Sequence, residues 1–134
     1  MALDTPVTAL SPHRYRPQPD VATAMSSPWS PTEKQFQSLV TDLAGRHGFA
    51  CFHPFDSRRS AAGWPDLVLC NPPRLLFLEL KVGKYQATDD QLRWLHLLNE
   101  CGQEAYVVRS TGDQVKDAAA IVGLLRQRPA KVAA

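Results

Sequence analysis

The sequence predicts an α/β domain whose central mixed sheet is flanked by helices, and three observations carry that prediction. Two apolar runs, residues 67–69 and 75–80, flank the turn-forming cluster Asn71-Pro72-Pro73-Arg74 and should pair as neighbouring strands. Helix-start signatures at Ser30-Pro31-Thr32-Glu33 and Thr88-Asp89-Asp90-Gln91 place helices on either side of that hairpin. The full order is helix, strand, strand, strand, helix, strand, helix, without internal repeat, so that helices protect the central strands.

Residues 1–29 carry five of the 11 prolines with Ser, Thr and Ala between them and no apolar periodicity, and are expected to form a disordered tail. Met25 is a candidate alternative start. The folded domain is expected over residues 30–128. Its first helix has Ser30 as N-cap, Pro31 at the first helical position and Glu33 three residues after the cap; Phe36, Leu39, Val40, Leu43 and Ala44 give it one buried face. Gly45 and Gly48 bracket its end, and residues 49–52 form a short strand. A polar loop over 53–62, containing Asp56, Arg58 and Arg59, leads into the hairpin and is placed to close over a substrate. The second helix buries Leu92, Trp94, Leu95 and Leu98 and stops at Cys101-Gly102. A strand over 105–109 precedes a last helix over 113–125, with Val115, Ala118, Val122 and Leu125 inward; residues 129–134 are expected to fray.

At 134 residues and 44% hydrophobic content the chain supports one domain with a real core. A formal charge of +2, from 15 basic and 13 acidic residues, gives no whole-molecule field for nucleic acid, so any such contact is local. Arg58, Arg59 and Arg74 lie near Asp66 in sequence, and Lys81 and Lys84 follow Glu79. Three cysteines, Cys51, Cys70 and Cys101, form no CxxC pair; they read as reduced core residues of a cytoplasmic protein. No apolar run approaches the ~20 residues of a membrane span, and no small-molecule cofactor motif is present.

The chemistry concentrates in the hairpin. Asp66 enters its first strand and Glu79 lies near the end of the second, so both carboxylates fall at one end. Side chains alternate along a strand, which puts Glu79 and Lys81 on one face and Leu78 and Leu80 on the other. Two acids and a lysine at the end of an otherwise apolar strand are costly unless they serve a site. A salt bridge of Lys81 to the acids is the plainer alternative. Hard divalent cations require oxygen ligands of this kind.

Pro65-Asp66, a 12-residue gap and Glu79-Leu80-Lys81 resemble the PD-(D/E)xK nuclease superfamily. Gly63-x-Pro65-Asp66, Gln91 early in the following helix, Gly102 at its close and Val107-Val108-Arg109-Ser110 are similar to its VRR-NUC branch, the virus-type replication-repair nucleases, over roughly residues 31–113. The resemblance implies a restriction-endonuclease-like αβββαβ core. It implies endonucleolytic hydrolysis of phosphodiester bonds with Mg²⁺ or Mn²⁺, and branched or flapped DNA as substrate, in replication, recombination or repair. Stand-alone members resemble Holliday-junction resolvases, which implies a homodimer and a bacterial or phage-infected host cell. The small size fits a viral or mobile-element origin by analogy.

Carried onto this chain, the resemblance makes Asp66 and Glu79 metal ligands, with the Leu80 carbonyl as a third and waters completing an octahedron. Lys81 would orient the attacking water or neutralise the phosphate. Glu33 would reach the metal from the first helix, directly or through water, although a capping role is its alternative. Gln91 would position the lysine or the substrate, and it also completes Thr88-x-x-Gln91. Arg58, Arg59, Lys84 and Arg109 are candidates for phosphate contacts. Trp64 is placed either to stack on the substrate or to pack beneath the site. His47 and His53 lack a second histidine at ligand spacing and read as ordinary loop or strand residues. A restriction-type or Vsr-like nuclease needs extra elements to read bases, for which there is little length. A catalytically silent DNA-binding module of the same fold would be expected to have lost one of Glu33, Asp66, Glu79, Lys81 and Gln91.

Overall fold

The computed structural model describes residues 29–54 and 61–128. Its elements are α1 (Glu33–Arg46), β1 (Ala50–Phe52), β2 (Leu67–Asn71), β3 (Arg74–Lys81), α2 (Asp89–Glu100), β4 (Glu104–Arg109) and α3 (Gln114–Leu125), in the predicted order. The expected tail over 1–29 except Trp29, the loop residues 55–60 bearing Asp56, Arg58 and Arg59, and residues 129–134 lie outside the described residues.

The sheet runs β1-β2-β3-β4. The first two pairings are antiparallel and β3 pairs β4 in parallel. A parallel neighbour cannot be reached by a tight turn, so α2 is the crossover between β3 and β4. Asn71 pairs with Arg74, leaving Pro72 and Pro73 as the turn. The run Arg74–Lys81 is buried at six of its eight positions, which is why it reads as continuous rather than alternating apolar sequence. Leu67, Leu69, Leu76, Leu78 and Leu80 pack on one side against Phe36, Val40 and Ala44 of α1 and Ile121 and Leu124 of α3. Phe77, Ala105 and Val107 pack on the other against Leu95 of α2.

Three expectations are corrected. The first helix is not capped by Ser30. Thr32 is the N-cap, and its hydroxyl accepts the Gln35 N–H at 3.2 Å while the Gln35 side chain accepts the Thr32 N–H at 2.8 Å. Thr32-x-x-Gln35 is itself a capping box, so Glu33 falls at the first helical position and takes no part in it. The last helix is turned from the expected face: Asp117, Ala120, Ile121, Leu124 and Leu125 are buried. Its apolar residues surround the axis and leave the face open, and Asp117 decides it. Asp117 accepts from Trp29 Nε1 at 2.9 Å, Ser110 Oγ at 2.5 Å, and Thr111 N and Oγ1 at 2.7 and 2.6 Å. Trp29, counted with the tail in the sequence, is thereby tied to α3. The cysteines are free but exposed and not in the core: Cys51 lies on the edge strand β1, Cys70 near the turn end of β2, and Cys101 at the C-cap of α2.

Arg74, close to Asp66 in sequence, serves the fold and not the acids. It is 6% exposed, donates to both Glu104 oxygens at 2.8 and 2.7 Å, and caps the Leu124, Leu125 and Gln127 carbonyls. Its place is the turn end of the hairpin, a strand's length from Glu79. Among the described residues no helix is long and apolar enough to cross a membrane.

Candidate active site

Pairing of β2 with β3 runs from Asn71↔Arg74 to Leu67↔Leu78. One step further brings Asp66 opposite Glu79, with both side chains on the α2 face, and a second step brings Pro65 opposite Leu80. Proline has no N–H, so the ladder ends there and the Leu80 carbonyl on that side loses its donor. The Leu80 N–H turns to Asp66 Oδ2 at 2.7 Å. The Lys81 carbonyl accepts from Ser110 N on the β4 side. Successive carbonyls alternate along a strand, so the Leu80 carbonyl faces the cleft at Asp66.

Glu79 is 2% exposed. Gln91 Nε2 donates to its Oε1 at 2.8 Å, whereas no protein donor reaches Oε2. Burial, reinforced by the neighbouring Asp66, pushes its carboxyl up to about 9, with Lys81 opposing and Glu33 adding to the rise. Gln91 closes the capping box of α2 as expected, its Oε1 accepting the Thr88 N–H at 2.8 Å, while its amide NH₂ meets Glu79 and not the lysine.

The loop before Asp66 is clipped to the same helix. Gly63 adopts φ +83°, and a Cβ there would stand 2.4 Å from the Asp90 carbonyl carbon. Trp94 Nε1 donates to the Ala62 carbonyl at 3.0 Å. Trp64 packs edge-on against Trp94 and Phe77, with ring centroids 5.0 and 5.8 Å apart, so it lies beneath the site as an internal support.

Glu33, Asp66, Glu79 and Gln91 line one cleft of about 360 Å³, together with Gln37, His53 and Trp64. Lys81 flanks the acids on their own face and is half-buried. Sequence reasoning missed Gln37, which stands four residues after Glu33 on the same helix face, a spacing that would have found it. His53, which has no partner histidine at ligand spacing, lies at the cleft wall.

Of the basic candidates, Lys84 and Arg109 do not line the cleft. Arg109 donates to the Tyr85 carbonyl at 2.7 Å and to Gln86 Oε1 at 3.2 Å, fastening the β3–α2 loop. Lys84 is exposed in that loop, and Arg58 and Arg59 fall outside the described residues.

Among the described residues no three His, Cys, Asp or Glu side chains converge as a ready metal cage. The two carboxylates and the Leu80 carbonyl nevertheless fit a hard cation. A buried Glu79 oxygen that receives no donor, beside a second carboxylate, is the arrangement such an ion relieves.

The mixed sheet with α2 crossing between its parallel strands, and carboxylates at the strand ends, defines a restriction-endonuclease-like fold. The VRR-NUC domain model matches residues 8–112, and the chain belongs to that family. Among solved structures a VRR-NUC domain protein is similar over 73% of this chain and 88% of its own, at 22% identity and a TM-score of 0.56. The Holliday junction resolvase Hjc of Archaeoglobus fulgidus aligns over 57% of this chain and 65% of its own, at 27% identity and a TM-score of 0.45. No curated protein matches the chain.

Proposed function

We propose that the protein is a divalent-metal-dependent endonuclease that hydrolyses phosphodiester bonds in branched or flapped DNA, in replication, recombination or repair. Membership of the VRR-NUC family supports the nuclease reading, and the branched substrate follows what that family implies. The observation that carries the metal requirement is the donorless Oε2 of buried Glu79 beside Asp66.

Asp66, Glu79 and the Leu80 carbonyl would hold Mg²⁺ or Mn²⁺, with Glu33 acting through water from the rim of the cleft. A bound cation there would neutralise the phosphate and lower the pKa of a water. Lys81, on the face of Glu79, donates to the attacking water or to a phosphate oxygen. Gln91 holds Glu79 against α2, and the Gly63 and Trp94 contacts fix the Asp66 loop to the same helix. Preorganisation of this kind keeps the reacting groups in place without a cost at the moment of reaction.

Labelled four-way junction, flap, splayed arm, linear duplex and single strand, each with Mg²⁺ or Mn²⁺, test the reading against Glu79→Ala. Metal-dependent cutting that vanishes in the variant is the expected result. Symmetric nicks in the junction would indicate two copies acting together. Inert wild type that still binds DNA would favour the silent binding module.

A further inference from the structure

The two carboxylates share a pattern: each has one oxygen engaged by a protein donor. Asp66 Oδ2 accepts the Leu80 N–H at 2.7 Å, and Glu79 Oε1 accepts Gln91 Nε2 at 2.8 Å. Glu79 Oε2 receives no donor.

The sense of the Gln91 amide is not free. Its oxygen is committed to the Thr88 N–H at 2.8 Å, so its NH₂ must face Glu79. Glutamate would close the same capping box as well as glutamine, but would set a third carboxylate oxygen against Glu79. Glutamine caps the helix and donates to the acid at once.

From this we infer that Gln91 is a metal-selectivity residue. By occupying Glu79 Oε1 it restricts Glu79 to one ligating oxygen, and the site thereby favours Mg²⁺ over Ca²⁺. The inference rests on the metal reading proposed above and adds which ion the protein's own bonds prefer. Mg²⁺ takes an octahedron at ~2.1 Å and keeps several waters, so single oxygens from two carboxylates and a carbonyl suffice. Ca²⁺ takes about 6–8 oxygens at longer range, commonly with both oxygens of a carboxylate. Here the second oxygen of Asp66 is held by a backbone amide and that of Glu79 by Gln91. Only the latter can be released by changing a side chain.

The experiment is competition against Mn²⁺, with free Mn²⁺ read by its electron paramagnetic resonance signal, as Mg²⁺ or Ca²⁺ is added to the full chain without DNA. Gln91→Met removes the donor with little change of volume and should shift the Mg²⁺:Ca²⁺ affinity ratio toward Ca²⁺ by on the order of tenfold. Thr88→Ala weakens the same helix cap but leaves the Thr88 N–H, and with it the amide sense, in place. It should keep the wild-type ratio. An unchanged ratio in Gln91→Met, with Mn²⁺ still bound, overturns this inference alone. An equal shift in both variants also overturns it, because loosening of α2 would then be the cause. Wild type that displaces no Mn²⁺ signal at all overturns the metal reading, and this inference with it.

Discussion

Asp66 Oδ2 accepts the backbone N–H of Leu80 at 2.7 Å, in the position where an antiparallel partner would otherwise stand. Asp66→Asn can keep that bond through its amide oxygen, but then turns an NH₂ toward Glu79. The expected outcome is a folded protein whose metal-dependent cleavage falls by about a hundredfold or more. Single-turnover rates on a junction substrate, with circular dichroism as the control for folding, check it.

Glu79 gives the metal-free protein a pH dependence of definite sign. Its folded value of about 9 lies above the ordinary 4.5, so the native state holds a proton that the unfolded chain has released. Stability from this group is complete below pH 4.5 and is lost as pH rises toward 9, by on the order of 1 kcal/mol per pH unit inside that window. Melting in a chelator should drop between about pH 6 and pH 8. Glu79→Gln should flatten that slope, and added Mg²⁺ should oppose the loss by stabilising the ionised carboxylates. A melting temperature that rises with pH in wild type would refute the assignment of the shift to Glu79.

Pro65 is expected to matter for what it lacks. Pro65→Ala supplies an N–H opposite the Leu80 carbonyl and can extend the β2–β3 ladder by one pair. Mn²⁺ affinity should fall by on the order of tenfold, while the metal-free protein changes in stability by only ~1 kcal/mol. Unaltered metal binding in this variant would mean that the Leu80 carbonyl is no ligand.

Gly63→Ala combines a left-handed backbone with a contact at 2.4 Å to the Asp90 backbone, where nothing can swing aside. A loss of about 2 kcal/mol in urea unfolding is expected. Metal affinity should fall with it, since the loop carrying Asp66 and the helix carrying Gln91 are forced apart.

Arg74→Met leaves the Glu104 carboxylate without its bidentate partner and uncaps three carbonyls at the end of α3. The expected cost is about 3–5 kcal/mol, with cleavage per folded molecule unchanged. Arg74→Lys should recover only part, because an ammonium cannot reproduce the guanidinium fork. Urea melts paired with active-site titration separate the two quantities.

The hairpin was legible because its cues agree: apolar runs bounded by Pro-Pro, and acids placed by alternation at one end. The α2 start was equally plain, since Thr88 and Gln91 do what a capping box does. The α1 start lies two residues beyond the sequence expectation because Ser30-Pro31 and Thr32-x-x-Gln35 are overlapping signals, and only packing chooses between them. The face of α3 was hidden by its own composition, as Ala, Val, Ile and Leu encircle it. A buried aspartate bound by Trp29, Ser110 and Thr111 is a long-range event that local periodicity does not register. The carboxylates of the site followed from spacing, whereas the pairing of Gln91 with one particular oxygen of Glu79 depends on angles that no spacing encodes.

The central strand carries its two demands at opposite ends, with Arg74 at one and the Glu79 and Lys81 pair at the other. The clamp and the acids therefore draw on different side chains. A lineage carrying this domain can drift at the acid-bearing end, even to the point of losing or changing its reaction, without surrendering the clamp that keeps sheet and last helix together. It can equally harden the clamp for a hotter habitat without retuning the cleft. Engineers who want a tougher clamp can change Arg74's surroundings without touching the acids.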